Sequence, residues 1–285
     1  MRLTRAIAAV ATTVAVVALS ACGSGSDTST KASGQESTTS SALKTMVSGK
    51  LTIATGEPAY SPWVEDNKPE SGKGFESAVA YAVAAKLGFS ADQVVWKRTT
   101  FDAAIAPGPK DFDLNLQQFT ISDKRRNAVD FSTPYYTTPT AIVSIKGNKG
   151  ADATTLAGLK DSLLGGAVGT TSLDTAQAEI DPKQKIQNFN SVQDSVAALK
   201  AGQVDALAVD LPTALYLAAA ELDNGVVVGQ LSGTDGGDQF GIVLAKGSDL
   251  TAAVSKVVDA LQADGTLTEL AKKWLTDSAG APVLK

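Results

Sequence analysis

The sequence contains no histidine and a single cysteine, Cys22. Without histidine, neither a Ser-His-Asp triad nor a Cys-His pair can form, and a classical zinc site is not expected. One cysteine cannot form a disulfide within the chain. The groups that remain for chemistry or binding are carboxylates, amines, guanidinium groups and hydroxyls. We therefore expect no metal and no cofactor.

Basic charge is also scarce in this chain. There are 25 lysines and arginines against 30 acidic residues, which gives a net charge of −5 at pH 7. No block of basic residues interrupts the sequence. Nucleic acid is therefore not an expected partner, because its phosphates require a basic surface.

The N-terminus has the pattern of a secretory signal. Arg2 and Arg5 precede an apolar stretch at 7–19, which is shorter than the roughly 20 residues that a membrane span needs. The following LSAC at 19–22 resembles the lipobox of bacterial lipoproteins, which implies cleavage before Cys22 and lipidation of its sulfur. The alternative is an ordinary signal-peptidase site near Cys22. We predict a signal peptide over 1–21 and an extracytoplasmic protein anchored to the cell membrane through Cys22.

The next segment, 22–48, is rich in Ser, Thr and Gly. It shows no apolar period, so we predict a flexible tether that does not fold.

Strand and helix patterns alternate after residue 49. Strands are predicted at 51–54, 94–96 and 112–116, and helices at 75–87 and 101–106. Such alternation predicts an α/β fold with a mainly parallel sheet flanked by helices.

A helix end, a glycine and an apolar strand recur at 195–209, which indicates a second, similar lobe. The apolar segments 140–145 and 240–244 are predicted to cross between the lobes as a two-segment hinge. The first lobe is then 49–143 plus 238–285, and the second lobe is 144–237.

The stretch QQFTISDKRR at 117–126 places amides, hydroxyls and cations directly after a predicted strand. In open α/β sheets, ligands bind beyond the carboxyl ends of the strands. Asp210 has the corresponding position after the strand at 204–209. Both segments are therefore candidates for a binding site.

Six ordered motifs carry a family resemblance. They are TGEPAYSPW at 55–63, GKGFESAVAYAVAAKLGF at 72–89, FTISDKRRNAVDFSTPYY at 119–136, GTTSLD at 169–174, AGQVDALAVD at 201–210 and QFGIVLAKGSDL at 239–250. With them the chain resembles the polar amino-acid (family 3) substrate-binding proteins of ABC importers. The resemblance implies a two-lobed type II periplasmic-binding-protein fold. It also implies a protein that is not an enzyme, captures an amino acid and delivers it to an ABC transporter permease. A monomer is assumed as the default.

The resemblance also implies residue roles. Arg125 would clamp the ligand α-carboxylate, a task that suits a guanidinium fork, and Thr120 would donate its hydroxyl to the same group. The Gln118 carbonyl would face the α-amino group, and Asp210 would receive the ammonium. The alternatives are a solvated cation for Arg125, a local cap for Thr120 or Gln118, and a solvated strand end for Asp210.

The remaining candidates surround the ligand. Thr170 and Thr171 precede a helix, where backbone amides bind anions. Tyr60 and Phe101 match aromatic walls of the family, although both could be core residues. Glu57 would favour Gln or a cationic side chain over an acidic one, or it is a surface acid. The chain departs from the family at Gln117-Gln118, where Ser or Gly is common, and this changes the pocket floor.

Two other functions fit the same fold. One is a periplasmic-type dehydratase of a small cyclic acid, for which Glu57 would be the general acid. The other is a tethered sensor that presents its ligated form to a signalling partner.

Overall fold

The computed structural model describes residues 43–232, 237–275 and 281–285. The predicted signal peptide, Cys22 and the tether up to residue 42 lie outside this part of the chain. Within the described residues, every helix is too short or too polar to span a bilayer.

Ten strands and eight α-helices alternate along the described part of the chain. The strands are β1 (Leu51–Gly56), β2 (Val94–Thr99), β3 (Leu114–Asn115), β4 (Val129–Thr138), β5 (Thr140–Ile145), β6 (Leu164–Ala167), β7 (Gln187–Phe189), β8 (Ala206–Asp210), β9 (Gly225–Gln230) and β10 (Asp238–Ala245). The helices are α1 (Phe75–Lys86), α2 (Phe101–Ile105), α3 (Asp123–Arg126), α4 (Thr171–Ile180), α5 (Val192–Lys200), α6 (Leu211–Tyr216), α7 (Thr251–Ala263) and α8 (Thr266–Trp274).

The strands form two five-stranded sheets. The first has the order β2-β1-β3-β10-β4 and the second the order β7-β6-β8-β5-β9. We call the parts of the chain built on these sheets the first and second lobes. The predicted two-lobed α/β fold is confirmed. Each sheet is mixed, however, because one strand, β10 in the first sheet and β5 in the second, runs antiparallel to the other four.

Apolar side chains cover both faces of each sheet. β1 is buried along its whole length, as expected for a central strand between two helical layers. On one face of the first sheet, α1 contributes Phe75 and Val79, α7 contributes Val254, and α8 contributes Leu267 to a common core. Phe119 and Phe131 belong to the cluster on the other face. The predicted helix at 75–87 agrees with α1 within one residue.

The lobe boundaries differ from the prediction. β4 ends the first sheet at Thr138 and β5 begins the second at Thr140, so the first crossing lies at Pro139 rather than near 143. The second crossing lies between Gln230 and Asp238. The segments 140–145 and 240–244 are therefore strands of one lobe each. Their apolar sequences gain more from pairing inside a sheet than from spanning a cleft.

The chain end at 281–285 lies on the second lobe, not on the first as predicted. Val283 pairs with Gln230 as a parallel bridge, and Leu284 N donates to Gln230 O at 2.9 Å. Leu284 is fully buried in the second-lobe core. Together with the two crossings above, this makes a third covalent connection between the lobes.

The folded part also begins earlier than predicted. Leu43 packs against the first-lobe core, and Met46 N donates to Asp113 Oδ1 at 2.8 Å. Residues 43–48 are therefore attached to the first lobe and are not part of a free tether.

The chain end offers a matched pair of substitutions. Leu284→Ala removes a fully buried side chain, whereas Val283→Ala trims a neighbour that is 48% exposed. We expect Leu284→Ala to lower the free energy of unfolding by about 2–5 kcal/mol. Val283→Ala should change it by no more than about 0.5 kcal/mol. Urea unfolding measures both, and equal effects would contradict the docking of this segment on the second lobe.

Candidate ligand-binding site

A pocket lies between the two lobes. All nine side chains that the sequence predicted for the site line this pocket: Glu57, Tyr60, Phe101, Gln118, Thr120, Arg125, Thr170, Thr171 and Asp210. They come from the ends of β1, β3, β6 and β8 and from the segments that follow. The position agrees with the rule that ligands bind at the carboxyl ends of parallel strands.

Arg125 lines the pocket on the first-lobe side. It lies on the short helix α3, whose N-cap Ser122 accepts a hydrogen bond from Arg125 N. The guanidinium donates to Thr120 O at 2.6 Å and to Gly169 O at 2.9 Å, and lies 5.3 Å from the centroid of the Phe101 ring. These contacts explain how a cation can begin a helix against the macrodipole.

The Arg125 side chain is buried without a carboxylate in direct contact. The residue is 8% exposed, and the ion pairs among the described residues do not include it. Burial lowers the pKa of its guanidinium, while the charge of Asp238 acts in the opposite direction. A guanidinium has five N–H groups, so donors remain for an anion in the pocket.

Hydroxyl groups from both lobes meet beside Arg125. Thr120 Oγ1 and Thr171 Oγ1 are 2.8 Å apart, and Thr171 Oγ1 also donates to Asp238 Oδ2 at 2.8 Å. Because Thr171 gives its proton to Asp238, Thr120 is the donor to Thr171. Thr170, the N-cap of α4, donates its hydroxyl to Ala167 O at 2.8 Å.

Asp210 lies on the second lobe, at the end of β8. As the N-cap of α6, its two carboxylate oxygens accept from Thr213 N and Thr213 Oγ1, both at 2.8 Å. Thr213 Oγ1 in turn accepts from Trp63 Nε1 of the first lobe at 2.9 Å. Burial raises the pKa of Asp210 to about 6, against these hydrogen bonds, which lower it. The carboxylate is thus fixed in place by a chain that begins in the other lobe.

Gln118 is held by Glu76, a buried acid that was not among the residues predicted for the site. Its backbone is left-handed, with φ at 51°. Gln118 N donates to Glu76 Oε1 at 2.7 Å, its side-chain amide donates to Glu76 Oε2, and Tyr135 donates its hydroxyl to Glu76 Oε1. Tyr60 donates its hydroxyl to Gln118 Oε1 at 3.1 Å. The pocket floor is therefore tied to α1.

Glu76 and Asp238 are the residues that sequence reasoning missed. Glu76 is 1% exposed, and burial raises its pKa to about 7, against the hydrogen bonds from Tyr135 and Gln118. It occupies an apolar position on α1 with Val79, Ala80 and Val83, and this spacing was the available signal. Asp238 reaches the pocket on β10, and no local pattern marks it.

The remaining candidates take different positions. Glu57 is exposed at the pocket rim. Phe101 lines the pocket and also packs on Phe119, with ring centroids 4.8 Å apart. Trp63 is 1% exposed and packs edge-on against Phe75, as expected for a core residue.

Relatives of this chain bind amino acids. It is 30% identical over 246 residues to the L-cystine-binding protein TcyJ of Escherichia coli (strain K12), covering 85% of this chain and 88% of that protein. An ancestral arginine-binding protein bound to glutamine matches with 31% identity and a TM-score of 0.67, over 80% of this chain and 98% of that one. An ancestral amino acid-binding protein, a precursor of cyclohexadienyl dehydratase, matches with 30% identity and a TM-score of 0.64, over 80% and 96%.

The family assignment follows from a match along most of the folded chain. The sequence profile of the bacterial extracellular solute-binding proteins, family 3, matches residues 51–277, from the first strand to the end of the last helix and slightly beyond. The two-lobed fold and the pocket between the lobes agree with that assignment. The chain belongs to the bacterial extracellular solute-binding proteins, family 3.

Proposed function

We propose that this protein captures a free amino acid between its lobes and delivers it to the permease of an ABC importer. One observation carries the proposal: a buried arginine without a contacting carboxylate and a half-buried aspartate line the same pocket, on opposite lobes. A zwitterion complements that pair. Arg125 binds the α-carboxylate, and the Thr120 hydroxyl turns from Thr171 to the same group, while Asp210 and the Gln118 carbonyl receive the α-ammonium.

The energetics of this pair suffice for capture. Hydrogen bonds to charged groups contribute about 1.5–3 kcal/mol each, and Arg125 can provide two in parallel to a carboxylate. Ordering and association costs reduce the sum. Affinities near the micromolar range, roughly −8 kcal/mol, are therefore within reach of one clamp.

The cross-lobe contacts link binding to closure. Thr120 with Thr171, Arg125 with Gly169 and Trp63 with Thr213 each join the two lobes. A ligand that touches both lobes binds this closed arrangement better than an open one. Binding then shifts the population toward closure.

Delivery to a transporter accounts for the N-terminal pattern. Lipid on Cys22 would hold a monomer at the cell membrane beside its permease, with residues 22–42 as the spacer. We infer that the chain is not an enzyme. Burial commonly equips a carboxyl to act as general acid, whereas Glu57, the candidate for that role, is exposed.

Removal of the guanidinium tests the clamp. We expect Arg125→Ala to weaken the binding of the cognate amino acid at least about 100-fold, since two charged hydrogen bonds are lost. Isothermal titration against all twenty amino acids measures this. Arg126→Ala, which changes the exposed arginine next in the sequence, should leave the affinity unchanged. If folded wild-type protein gives no heat of binding with any of the twenty amino acids, the proposal is wrong.

Affinity should also depend on pH through Asp210. Its pKa of about 6 means that the carboxyl holds a proton at lower pH, and the ligand ammonium requires the ionised form. Binding must then expel that proton, so we expect affinity to be roughly tenfold weaker at pH 5 than at pH 7.5. Titrations at both pH values measure the change. Asp210→Asn should bind weakly at both, and an unaltered pH dependence in that variant would exclude Asp210 as the cause.

The Trp63 indole tests the cross-lobe chain to Asp210. Trp63→Phe removes one neutral hydrogen bond, so we expect a roughly 2- to 10-fold loss of affinity with faster ligand dissociation. Stopped-flow dissociation kinetics measures it. Trp96→Phe is the matched control, because Trp96 Nε1 donates to Tyr81 within the first lobe, at 3.1 Å. Equal effects of the two substitutions would argue against the chain.

A further inference from the structure

Two glutamine oxygens in the pocket receive no hydrogen bond. Among the described residues, the buried side-chain polar atoms without a partner belong to five residues. Two of these residues line the pocket, and in both the atom is a carboxamide oxygen: Oε1 of Gln117 and Oε1 of Gln193. Other glutamine oxygens near the site are engaged, as Gln118 Oε1 accepts from Tyr60. Both oxygens can therefore accept a hydrogen bond from a ligand.

The two glutamines come from opposite lobes. Gln117 directly precedes Gln118 in the segment after β3, and Gln193 is the second residue of α5. The amide nitrogen of Gln117 lies beside the end of β1, where it is within 3.0 Å of the position that a Cβ on Gly56 would take. Its oxygen is the atom left to accept. Because both residues line the pocket, a ligand bound between the lobes can meet both glutamine side chains.

Leaving such oxygens unpaired is costly. A buried acceptor without a donor loses its hydration without compensation, and native proteins keep few of them. A ligand with N–H groups recovers that loss when the lobes close on it. A ligand that brings only acceptors, such as a side-chain carboxylate, adds repulsion instead.

The charges around the pocket favour the same ligands. The charged side chains that line it are three carboxylates, on Glu57, Asp210 and Asp238, and the guanidinium of Arg125. The zwitterionic end of an amino acid engages Arg125 and Asp210 and adds no net charge. The remaining field is negative, which suits a donor or cationic side chain.

We propose that Gln117 and Gln193 select amino acids whose side chains donate N–H hydrogen bonds: a carboxamide, a guanidinium or an ammonium group. Acidic side chains are rejected. This assignment rests on the proposed amino-acid capture and names the class of ligand that the same pocket takes. Gln117 and Gln193 are specificity residues, distinct from the groups that hold the zwitterion.

Glutamine and glutamate form the sharpest test, because they have nearly the same shape and differ in donors. Isothermal titration of the purified protein with L-glutamine, L-arginine and L-glutamate should give at least about 100-fold tighter binding for one of the first two than for L-glutamate. Equal or tighter binding of L-glutamate overturns the assignment.

Two substitutions at Gln117 separate its oxygen from its nitrogen. Gln117→Met removes both and should weaken the preferred ligand about tenfold or more. Gln117→Glu keeps an oxygen acceptor and removes the N–H donor, so it should retain that affinity and tighten L-arginine. Loss of binding in both variants, with thermal unfolding unchanged, would mean that the amide acts as a donor and would overturn the assignment.

The second lobe and the controls complete the experiment. Gln193→Met should weaken the preferred ligand as Gln117→Met does, whereas Gln203→Met, at an exposed glutamine, should not. If the protein binds L-glutamate or an aliphatic amino acid, and Arg125→Ala abolishes that binding, the side-chain assignment is overturned and amino-acid capture stands. Absence of binding for all twenty amino acids would overturn the capture itself.

Discussion

The guanidinium of Arg125 is the interaction on which the rest of the pocket depends. It donates to a backbone carbonyl of each lobe, at Thr120 and Gly169, and so fixes where the two walls meet. Gly169 permits this approach because its φ is 77° and a Cβ there would lie 2.7 Å from Asp102 Oδ1. A larger residue would be strained at this φ and would displace the Asp102 carboxylate. The charged centre of the pocket and its closed geometry therefore arise from the same group.

A second constraint makes the floor of the pocket rigid. Gln118 adopts a left-handed backbone that a residue with a side chain enters at a cost, and the buried carboxyl of Glu76 holds both its backbone and side-chain amides. Tyr135 donates its hydroxyl to Glu76 Oε1, the oxygen that also accepts from Gln118 N. A carbonyl held this firmly can face a ligand without rearrangement. Preorganisation of this kind reduces the ordering cost of binding.

Much of the site could be read from the sequence because topology places it. Polar residues that follow apolar strands, such as Gln118, Thr120 and Asp210, must meet at one edge of parallel sheets. The family resemblance then supplied roles for them. Glu76 and Asp238 escaped because tertiary packing alone brings α1 and β10 to the pocket. Trp63 is a core residue, yet its indole N–H reaches the other lobe through a partner 150 positions away, which no local pattern could indicate.

The lobe boundaries escaped for a related reason. A run of alternating apolar residues predicts a strand, but it does not say which sheet the strand joins. The chain end is the clearest case. Three residues, VLK, carry almost no periodic signal, and Leu284 finds its place only because the second-lobe core offers it a fully buried site.

The third covalent connection limits how far the protein can open. Trp274 ends α8 on the first lobe, Leu275 packs into the first-lobe core, and the chain returns to the second lobe at residue 281. Six Cα-to-Cα steps join these points, and they extend to at most about 20 Å. While residues 281–285 stay paired with β9, this connection sets an upper bound on the distance between the lobes across the cleft. The length of chain between residues 275 and 281 therefore limits how far the lobes can separate.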